Sequence, residues 1–443
     1  MMLPLPYKDF EWLDEGEIPV SENDDDNLRM IKELTACSNI EEDHQGYILE
    51  VDMDYPDELH DKHNSYPLLP ERIEIQGEQY SDYQKSCLEK TESDVCVSTK
   101  LIPTLRDKKK YVLDIRFLKC AMEHGLILRK IHRGIKFTQR AWMKPYIELN
   151  SRLRAKAEND FEKDFYKLLN NSCYGKSMEN IRNRINFEIV TNQTRMEKVA
   201  RDPRLKLPVT QFGEECCGVQ FQKEKIKLCK PIYSGLSILN LAKIGMYEFH
   251  YNQMIGKYGQ DKVKLLFTDT DSFCYEVETE DIYADMATAK EFKVNGKSIF
   301  DTSNYPKDHP LYSLANKKVP GCFKDECGGV PMVEFIGLRS KMYSYTTMDE
   351  AIQGCTHKGI ARKVNITHEE YRKCLVEQQT IYKEWNCIRG KNHNLFVVNV
   401  KKKALSPMDD KTYLLNDGIS SLKWGHWRIP SDLNIAGSSN NGS

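Results

Sequence analysis

Residues 264–277 read Lys-Leu-Leu-Phe-Thr-Asp-Thr-Asp-Ser-Phe-Cys-Tyr-Glu-Val and are the most informative stretch of the chain. Apolar side chains alternate with other residues on both sides of the acidic centre, which predicts the two strands of a β-hairpin. Asp269 and Asp271 would share the turn, where their carboxylates repel each other unless a cation lies between them. Hard divalent cations such as Mg²⁺ bind carboxylate oxygens. The alternative is a solvated turn, because Asp and Ser are common turn residues.

A second segment, residues 161–184, predicts a helix that ends or kinks at Gly175. At about 100° per residue, one side of this helix collects basic, amide and aromatic side chains: Lys163, Lys167, Asn170, Asn171 and Tyr174. This set suits a triphosphate together with its sugar and base, and Lys156 is predicted to extend the same face. The alternative is an ordinary basic face in contact with solvent.

Taken in this order, the two segments resemble family B DNA polymerases. Lys167-x-x-x-Asn-Ser-x-Tyr-Gly175 resembles the fingers motif, and Thr268-Asp-Thr-Asp-Ser272 resembles the palm motif. Glu334–Tyr343 is similar to the Lys-x-Tyr motif that contacts the primer terminus, and Lys358-Gly359 to a pair near the start of the thumb. Further stretches are similar to the protein-primed branch found in viruses, linear plasmids and self-synthesising transposons: Leu5–Trp12, Tyr111–Arg133, His309–Gly329 and Ala404–Asp410.

The resemblance runs to about Trp427 and implies an α+β, right-hand polymerase fold with an antiparallel-sheet palm, helical fingers and a mixed thumb. The implied organisation is palm (1–70), an insertion resembling the first terminal-protein region (71–135), fingers (136–183), an insertion resembling the second such region (184–230), palm with the metal hairpin (231–345), thumb (346–430) and a disordered tail (431–443).

The implied activity is template-directed DNA synthesis from dNTPs by a two-metal mechanism. Asp269 and Asp271 are the implied catalytic residues and the ligands of two Mg²⁺ ions, with Mn²⁺ as an alternative metal. The implied nucleotide-binding residues are Lys163, Lys167, Asn171, Tyr174 and Lys156. The implied primer- and template-binding residues are Lys341, Tyr343, Ser172, Gly175, Thr270 and Lys358. Primer–template DNA, dNTPs and a priming terminal protein are the expected partners.

The first catalytic aspartate of the family lies in an Asp-x-x-x-Leu-Tyr motif just before the segment matched by Leu5–Trp12. We expect this motif, and the exonuclease domain that precedes it, to lie upstream of Met1. Two-metal transfer takes aspartates from two palm strands, so the chain by itself is expected to be weak or inactive. Asp52 and Asp54 are assigned to the next palm strand, and the alternative is that one of them substitutes as a metal ligand.

The formal net charge of −2 hides a division of charge along the chain. Residues 1–61 carry 19 Asp and Glu against 3 Lys and Arg, whereas residues 62–443 carry 47 acidic and 61 basic residues. A polyanionic partner such as DNA is therefore expected along the later part of the chain.

The composition also bears on location. No apolar run approaches the ~18–20 residues that span a bilayer, and no basic stretch followed by an apolar core opens the chain. These features predict a soluble intracellular protein without a membrane partner, and they leave nucleus and cytoplasm open. The 14 cysteines include no Cys-x-x-Cys pair, so we expect reduced thiols rather than the alternative, a metal site.

Two other functions compete with the polymerase. A phosphatase of the haloacid dehalogenase class has its nucleophile in a strand-ending Asp-x-Asp-x-Thr, which Asp269 and Asp271 partly fit. That class needs a parallel strand followed by a helix or cap, so the predicted hairpin argues against it. The second alternative is a DNA-binding polymerase remnant that retains fingers and thumb without turnover.

Local patterns add further expectations. Residues 115–126 predict an amphipathic helix followed by a short strand, and residues 184–230 are predicted to be irregular. A helix is predicted over residues 237–256 with Leu241, Ala242, Gly245, Met246 and Phe249 on its buried side. Residues 333–345 predict one strand with Lys341 and Tyr343 on the same face. Thr367-His-Glu-Glu370 predicts a capping box that opens a helix.

Overall fold

The computed structural model describes residues 1–14, 16–95, 97–349, 353–361, 363–391 and 394–434, and the predicted tail beyond residue 434 lies outside them. The fold is α+β, as predicted. The helices are α1 (Asp24–Leu34), α2 (His60–His63), α3 (Asp82–Lys90), α4 (Ile115–Glu123), α5 (Lys144–Lys156), α6 (Asp160–Ser177), α7 (Gln193–Ala200), α8 (Ile232–Tyr247), α9 (Gly256–Tyr258), α10 (Ile282–Thr288) and α11 (His368–Val376). None of these described helices has the length and apolar character needed to cross a bilayer.

The strands are mostly short and fall into several small sheets. They are β1 (Leu5–Trp12), β2 (His44–Asp54), β3 (Glu71–Ile73), β4 (Lys100–Ile102), β5 (Lys108–Asp114), β6 (Ile127–Arg140), β7 (Asn186–Val190), β8 (Leu205–Gly213), β9 (Cys216–Phe221), β10 (Val263–Thr268), β11 (Phe273–Val277), β12 (Lys293–Val294), β13 (Lys297–Ser298), β14 (Phe300–Asp301), β15 (Phe323–Lys324), β16 (Met332–Arg339), β17 (Met342–Thr347), β18 (Gln353–Thr356), β19 (Ile381–Lys391), β20 (Asn394–Leu405), β21 (Tyr413–Leu414) and β22 (Ser421–Leu422).

The largest sheet is antiparallel, with strand order β1-β6-β2-β5. Leu49, Val51 and Met53 of β2 are fully buried and contribute to one core with Phe117 and Leu118 of α4. The alternation of buried and less buried side chains along β2 therefore decides which face of the sheet packs against the helices. The sheet crosses the predicted boundary between residues 70 and 71, because β5 and β6 belong to it together with β1 and β2. The strand after α4 has 14 residues and is not short.

Helix α4 confirms the amphipathic pattern, since its predicted apolar side is buried in this core. It ends at Glu123 rather than at residue 126, because Gly125 adopts a left-handed conformation with φ 98°. Glycine reaches this conformation at little cost and commonly terminates helices there.

Helix α8 starts at Ile232, five residues before the predicted start, and continues as a π-helix over Glu248–Ile255. Met246 and Phe249 are buried as predicted, whereas Ala242 and Gly245 are exposed. The main buried contacts of this segment come instead from the aromatic residues Tyr247 and Tyr251.

Residues 184–230 are more ordered than predicted. Strands β7, β9 and β8 form a three-stranded antiparallel sheet, and α7 packs beside it through a small core of Val190, Val199, Val219 and Phe221. Charged residues interrupt every apolar run in this stretch, so its short strands give little periodic signal.

The last part of the chain returns to the middle of the fold. Trp424 is fully buried with Ile73, Tyr80 and Ile102, and its carbonyl oxygen accepts a 2.8 Å hydrogen bond from the Leu105 N–H. Before this return, β16, β17 and β18 form one sheet against α11, whose capping box at Thr367 and Glu370 is confirmed. The long β19–β20 hairpin follows α11.

Candidate active site

The acidic hairpin is present. Strands β10 and β11 pair antiparallel from Val263 opposite Val277 to Thr268 opposite Phe273. In the turn between them, the Asp269 N–H donates to the Ser272 carbonyl oxygen at 3.1 Å. Thr270 adopts a left-handed conformation with φ 62°, which is uncommon for a β-branched residue. The turn therefore presents two carboxylates, separated by one residue, at an accessible tip, with Asp269 half-buried and Asp271 exposed.

This geometry removes the phosphatase alternative. Asp269 follows a strand whose neighbour is antiparallel, and that neighbour begins only four residues later at Phe273. The haloacid dehalogenase arrangement requires a parallel strand followed by a helix or cap, and the hairpin supplies neither of these.

A second hairpin faces the first. The predicted single strand over residues 333–345 is wrong, because β16 and β17 pair antiparallel and Arg339 lies opposite Met342. Lys341 occupies the turn between them in a left-handed conformation with φ 62°, so it does not share a strand face with Tyr343. Apolar residues continue on both sides of this tight turn, so the alternation pattern of the sequence gave no sign of it.

The two hairpins meet through charge and aromatic stacking. The Lys341 ammonium donates to Oδ2 of Asp269. The Tyr343 ring stacks on Phe267 with centroids 4.2 Å apart and an interplanar angle of 19°. Phe335 stacks on Phe267 from a centroid distance of 5.6 Å. The sequence-predicted residues Asp269, Lys341 and Tyr343 are therefore brought together in space.

The hairpin tip suits a hard cation in its donor chemistry, because both side chains offer carboxylate oxygens and both reach solvent. Asp269 Oδ1 accepts only a weak contact of 3.3 Å from the Thr270 hydroxyl. In the part of the chain that the structure describes, no group of three or more His, Cys, Asp or Glu side chains could hold a metal ion. The two aspartates thus fit as part of a coordination sphere that waters and substrate phosphates would complete.

Asp52 and Asp54 have other partners. Oδ1 of Asp52 accepts from the Lys110 N–H at 2.7 Å and lies 2.8 Å from Nε2 of His132, while Asp54 pairs with Arg129 at 2.5 Å. Burial alone would raise the pKa of Asp52, but the Lys110 N–H and the His132 ring together lower it. These contacts favour a structural role in β2 over substitution as a metal ligand.

Helix α6 carries the predicted polar face, but its end and the place of Lys156 differ from the prediction. Gly175 does not end the helix, which continues to Ser177, and the Met178 N–H donates to the Tyr174 carbonyl oxygen at 3.2 Å. Lys156 does not share its face, because α5 ends at Lys156 and Ala157 is extended with ψ 131°. The two helices form a hairpin in which α6 packs on α5 and α8.

The α6 side chains are accessible and lightly paired. Lys167, Asn171, Ser172 and Gly175 are exposed, and Tyr174 is half-buried. Lys163 donates to Asp160 Oδ1 at 2.9 Å. Lys358 is also exposed and lies two residues after Thr356, which pairs with Tyr343 across β17 and β18.

A cleft of about 620 Å³ opens beside Asp269. Its walls come from β10, from the β16–β17 hairpin, from Asn64 and Ser65, and from the returning segment at residues 409–423. The α6 residues do not contribute to its lining. The predicted nucleotide-binding face of α6 and the acidic tip thus lie on separate elements. The cleft connects the acidic tip with the β16–β17 hairpin and with residues 409–423.

Sequence reasoning missed several cations near these elements. Lys318 donates from its ammonium to the Arg154 carbonyl oxygen at 3.4 Å, and its own N–H donates to buried Asp301 at 2.9 Å. Burial, followed by the charges of Arg154 and Lys163, lowers the pKa of Lys318. Lys411 and Lys423 line the cleft. Isolated lysines in loops carry no spacing signal, so only the tertiary structure reveals these positions.

Comparisons with known proteins agree with the motifs. The family model for DNA polymerase type B, organellar and viral, matches residues 58–254. This match confirms the resemblance to family B DNA polymerases; it includes α6 and ends before the acidic hairpin. No curated protein sequence matches the chain.

Three solved structures of Phi29 DNA polymerase are similar to the chain. The post-translocation binary complex with primer-template DNA has 14% identity and a TM-score of 0.46, over 90% of this chain and 54% of that chain. The ternary complex with primer-template DNA and incoming nucleotides has 12% identity and a TM-score of 0.46, over 92% and 55%. The complex with single-stranded DNA has 14% identity and a TM-score of 0.38, over 85% and 62%. The chain therefore spans little more than half the length of these polymerase chains.

Proposed function

We propose that this chain is a DNA-directed DNA polymerase module of the family B, protein-primed type, which extends a primer with deoxynucleotides from dNTPs. The observation that carries the proposal is the meeting of two hairpins, where the Lys341 ammonium reaches Asp269 at an accessible acidic tip. The segment that resembles the fingers motif lies earlier in the chain on a helix with an exposed polar face, which supports the proposal.

The proposed architecture is a right hand. The sheet of β1, β6, β2 and β5 together with the β10–β11 hairpin forms the palm, the α5–α6 hairpin the fingers, and residues 346–430 the thumb. Of the predicted first insertion, residues 71–135, the part from β5 onward joins this palm sheet. Residues 71–107 are therefore proposed as the first insertion of protein-primed enzymes and residues 184–230 as the second, with a priming terminal protein as the proposed partner there.

The nucleotide is proposed to bind along α6. Lys163 and Lys167 supply two ammonium groups for the triphosphate, and compact ammonium charges serve this role as point charges. Asn171 and Tyr174 lie farther along the helix, where they would contact sugar and base. The half-buried ring of Tyr174 would exclude a ribonucleotide by occupying the space of its 2′-hydroxyl.

The primer end is proposed to lie between the two hairpins. Lys341 would exchange its contact with Asp269 for a primer phosphate, and Tyr343 is already fixed by its stack on Phe267. Ser172, Gly175, Thr270 and Lys358 are proposed to contact primer or template. Asp269 and Asp271 would hold Mg²⁺, which when bound stabilises the attacking and leaving oxygens of nucleotidyl transfer.

Primer extension and nucleotide binding together test this function. The full chain is titrated with a dNTP on a dideoxy-terminated primer–template, with and without Mg²⁺, and extension is measured separately on an unblocked primer. We expect Mg²⁺ to tighten dNTP binding, and Asp269→Asn or Asp271→Asn to abolish this effect. Asp261→Asn, at the opposite end of β10 from the tip, is the matched control and should behave like the unaltered chain.

A DNA-binding module without turnover is the second candidate. It is favoured by one observation, namely that the described residues place only two carboxylates at the hairpin tip and no larger ligand group. Salt-dependent binding of primer–template, with neither extension nor Mg²⁺-dependent dNTP binding and with no effect of Asp269→Asn, would establish this reading and refute the polymerase.

A further inference from the structure

The returning segment at residues 409–423 forms one wall of the cleft beside Asp269. This wall is held firmly in place. The Lys423 N–H donates to Asn64 Oδ1 at 2.8 Å, and the Asn64 amide donates to the Ser421 carbonyl oxygen at 2.9 Å. Trp424, the next residue, is fully buried in the core. Lys423 itself lines the cleft, and these hydrogen bonds together with the burial of Trp424 fix the backbone from which its side chain extends.

The charges in the cleft favour an anion. Arg339, Lys341, Lys411 and Lys423 supply four cations to its lining, whereas Asp269 and Asp409 supply two carboxylates. Burial lowers the pKa of Lys423, although the charge of Asp409 opposes this effect. An ammonium group that is partly desolvated and incompletely neutralised is stabilised by a bound phosphate.

The opposite wall is aromatic. Phe267, Phe335 and Tyr343 all line the cleft and stack on one another, with centroid distances between 4.2 and 5.9 Å. Ring faces and edges beside cations are the usual composition of a groove that follows a single nucleic-acid strand. The volume of about 620 Å³ lies within the range of about 300–1,000 Å³ that is typical of ligand sites.

We propose that Lys411 and Lys423 bind backbone phosphates of the primer strand just behind its 3′ end, so that the returning segment forms the rear half of the primer site. This inference rests on the proposed polymerase function and adds to it a phosphate-binding pair outside the family motifs. A strand with its end at Asp269 would pass Lys341 and the aromatic wall and would then reach these two lysines along the same cleft.

The test measures DNA affinity by fluorescence anisotropy, with Ca²⁺ in place of Mg²⁺ to prevent turnover. A 3′-recessed primer–template is compared with its template strand alone, over a range of salt concentrations. Lys411→Gln and Lys423→Gln are each expected to weaken primer–template binding by roughly tenfold, in line with loss of one charged hydrogen bond. Each should also lower the slope of log affinity against log salt by about one. Binding of the template strand alone should change much less.

Two further variants make the result specific. Lys264→Gln is the matched control, because Lys264 lies on the cleft strand β10 but pairs with Glu276 at 3.1 Å on its outer side. Lys423→Arg keeps the charge and should restore most of the affinity. If Lys423→Gln unfolds at a lower temperature than the unaltered chain, Lys411→Gln decides the question.

The outcomes separate the two proposals. A chain that prefers the recessed primer, with Lys411→Gln and Lys423→Gln binding it as tightly as Lys264→Gln does, overturns the inference and leaves the polymerase standing. A chain without any preference for the recessed primer overturns the polymerase function itself.

Discussion

Lowering the pH from about 7.5 to about 5.5 is expected to destabilise this protein strongly, because several core histidines are held neutral. Burial lowers the pKa of His63 to about 3, and burial also lowers the pKa values of His124 and His250 to about 4. His63 is fully buried and its Nδ1 is 2.8 Å from the Tyr55 hydroxyl, while its Nε2 is buried without a hydrogen-bond partner. His124 and His250 flank Tyr251 at centroid distances of 4.8 and 4.7 Å.

The sign follows from where the protons bind. The folded protein keeps these rings neutral down to about pH 4, whereas the unfolded chain takes up protons below about pH 6.5. Their contribution to stability is therefore complete above about pH 6.5 and is lost as the pH falls below that value. At about pH 5.5 each ring lowers the free energy of unfolding by about 1.4 kcal/mol, so the three together lower it by roughly 4 kcal/mol. This is a large part of a typical unfolding free energy of about 5–15 kcal/mol.

Urea unfolding followed by tryptophan fluorescence at several pH values measures this loss. The variant His63→Phe keeps the ring volume and removes one titrating group, so its free energy of unfolding should fall less steeply with pH than that of the unaltered chain. His44→Phe is the control, because His44 lies at the partly exposed start of β2. An unfolding free energy that is equal at the two pH values, or a His63→Phe slope identical to that of His44→Phe, would refute the reasoning.

Three other perturbations test separate parts of the structure. Trp424→Ala should destabilise the protein by about 3–5 kcal/mol, because it empties a fully buried position in the core of residues 73–102 and 408–429. Urea unfolding measures this change, and a loss of stability below about 1 kcal/mol would contradict the prediction. Thr367→Ala should lower the free energy of unfolding by about 1 kcal/mol, because the Thr367 side chain caps α11. Circular dichroism should show a loss of helix signal for this variant. Thr346→Ala, on β17, removes no cap and should not show that loss. Lys341→Gln should weaken primer–template binding about tenfold, measured by fluorescence anisotropy with Ca²⁺, and an unchanged affinity would contradict its place at the primer end.

Local patterns predicted the parts of this fold that local physics determines. The acidic hairpin, the buried side of α4, the polar face of α6 and the capping box of α11 each depend on residues close together in the chain. Periodicity and capping chemistry are sufficient in these cases. The chemical roles of these residues stay proposals, which rest on the resemblance of the motifs to family B DNA polymerases.

The errors have physical causes that a sequence does not display. The turn at Lys341 contains no Gly, Pro, Asn or Asp, and Ser340 is only a weak turn signal within residues 339–342. The helix break after Lys156 occurs at an alanine, which is ordinarily the best helix former. The cleft wall at Lys411 and Lys423 depends on packing between segments more than 300 residues apart in sequence, and no local pattern encodes that distance.

The burial of Trp424 against Ile73 and Ile102 has a consequence for biosynthesis. Residues 73–102 leave the ribosome long before residues 408–429 have been translated, so the apolar side chains of residues 73–102 are exposed in the nascent chain until then. Closure of this core therefore follows the translation of residues 408–429 and comes late in the folding of the nascent chain.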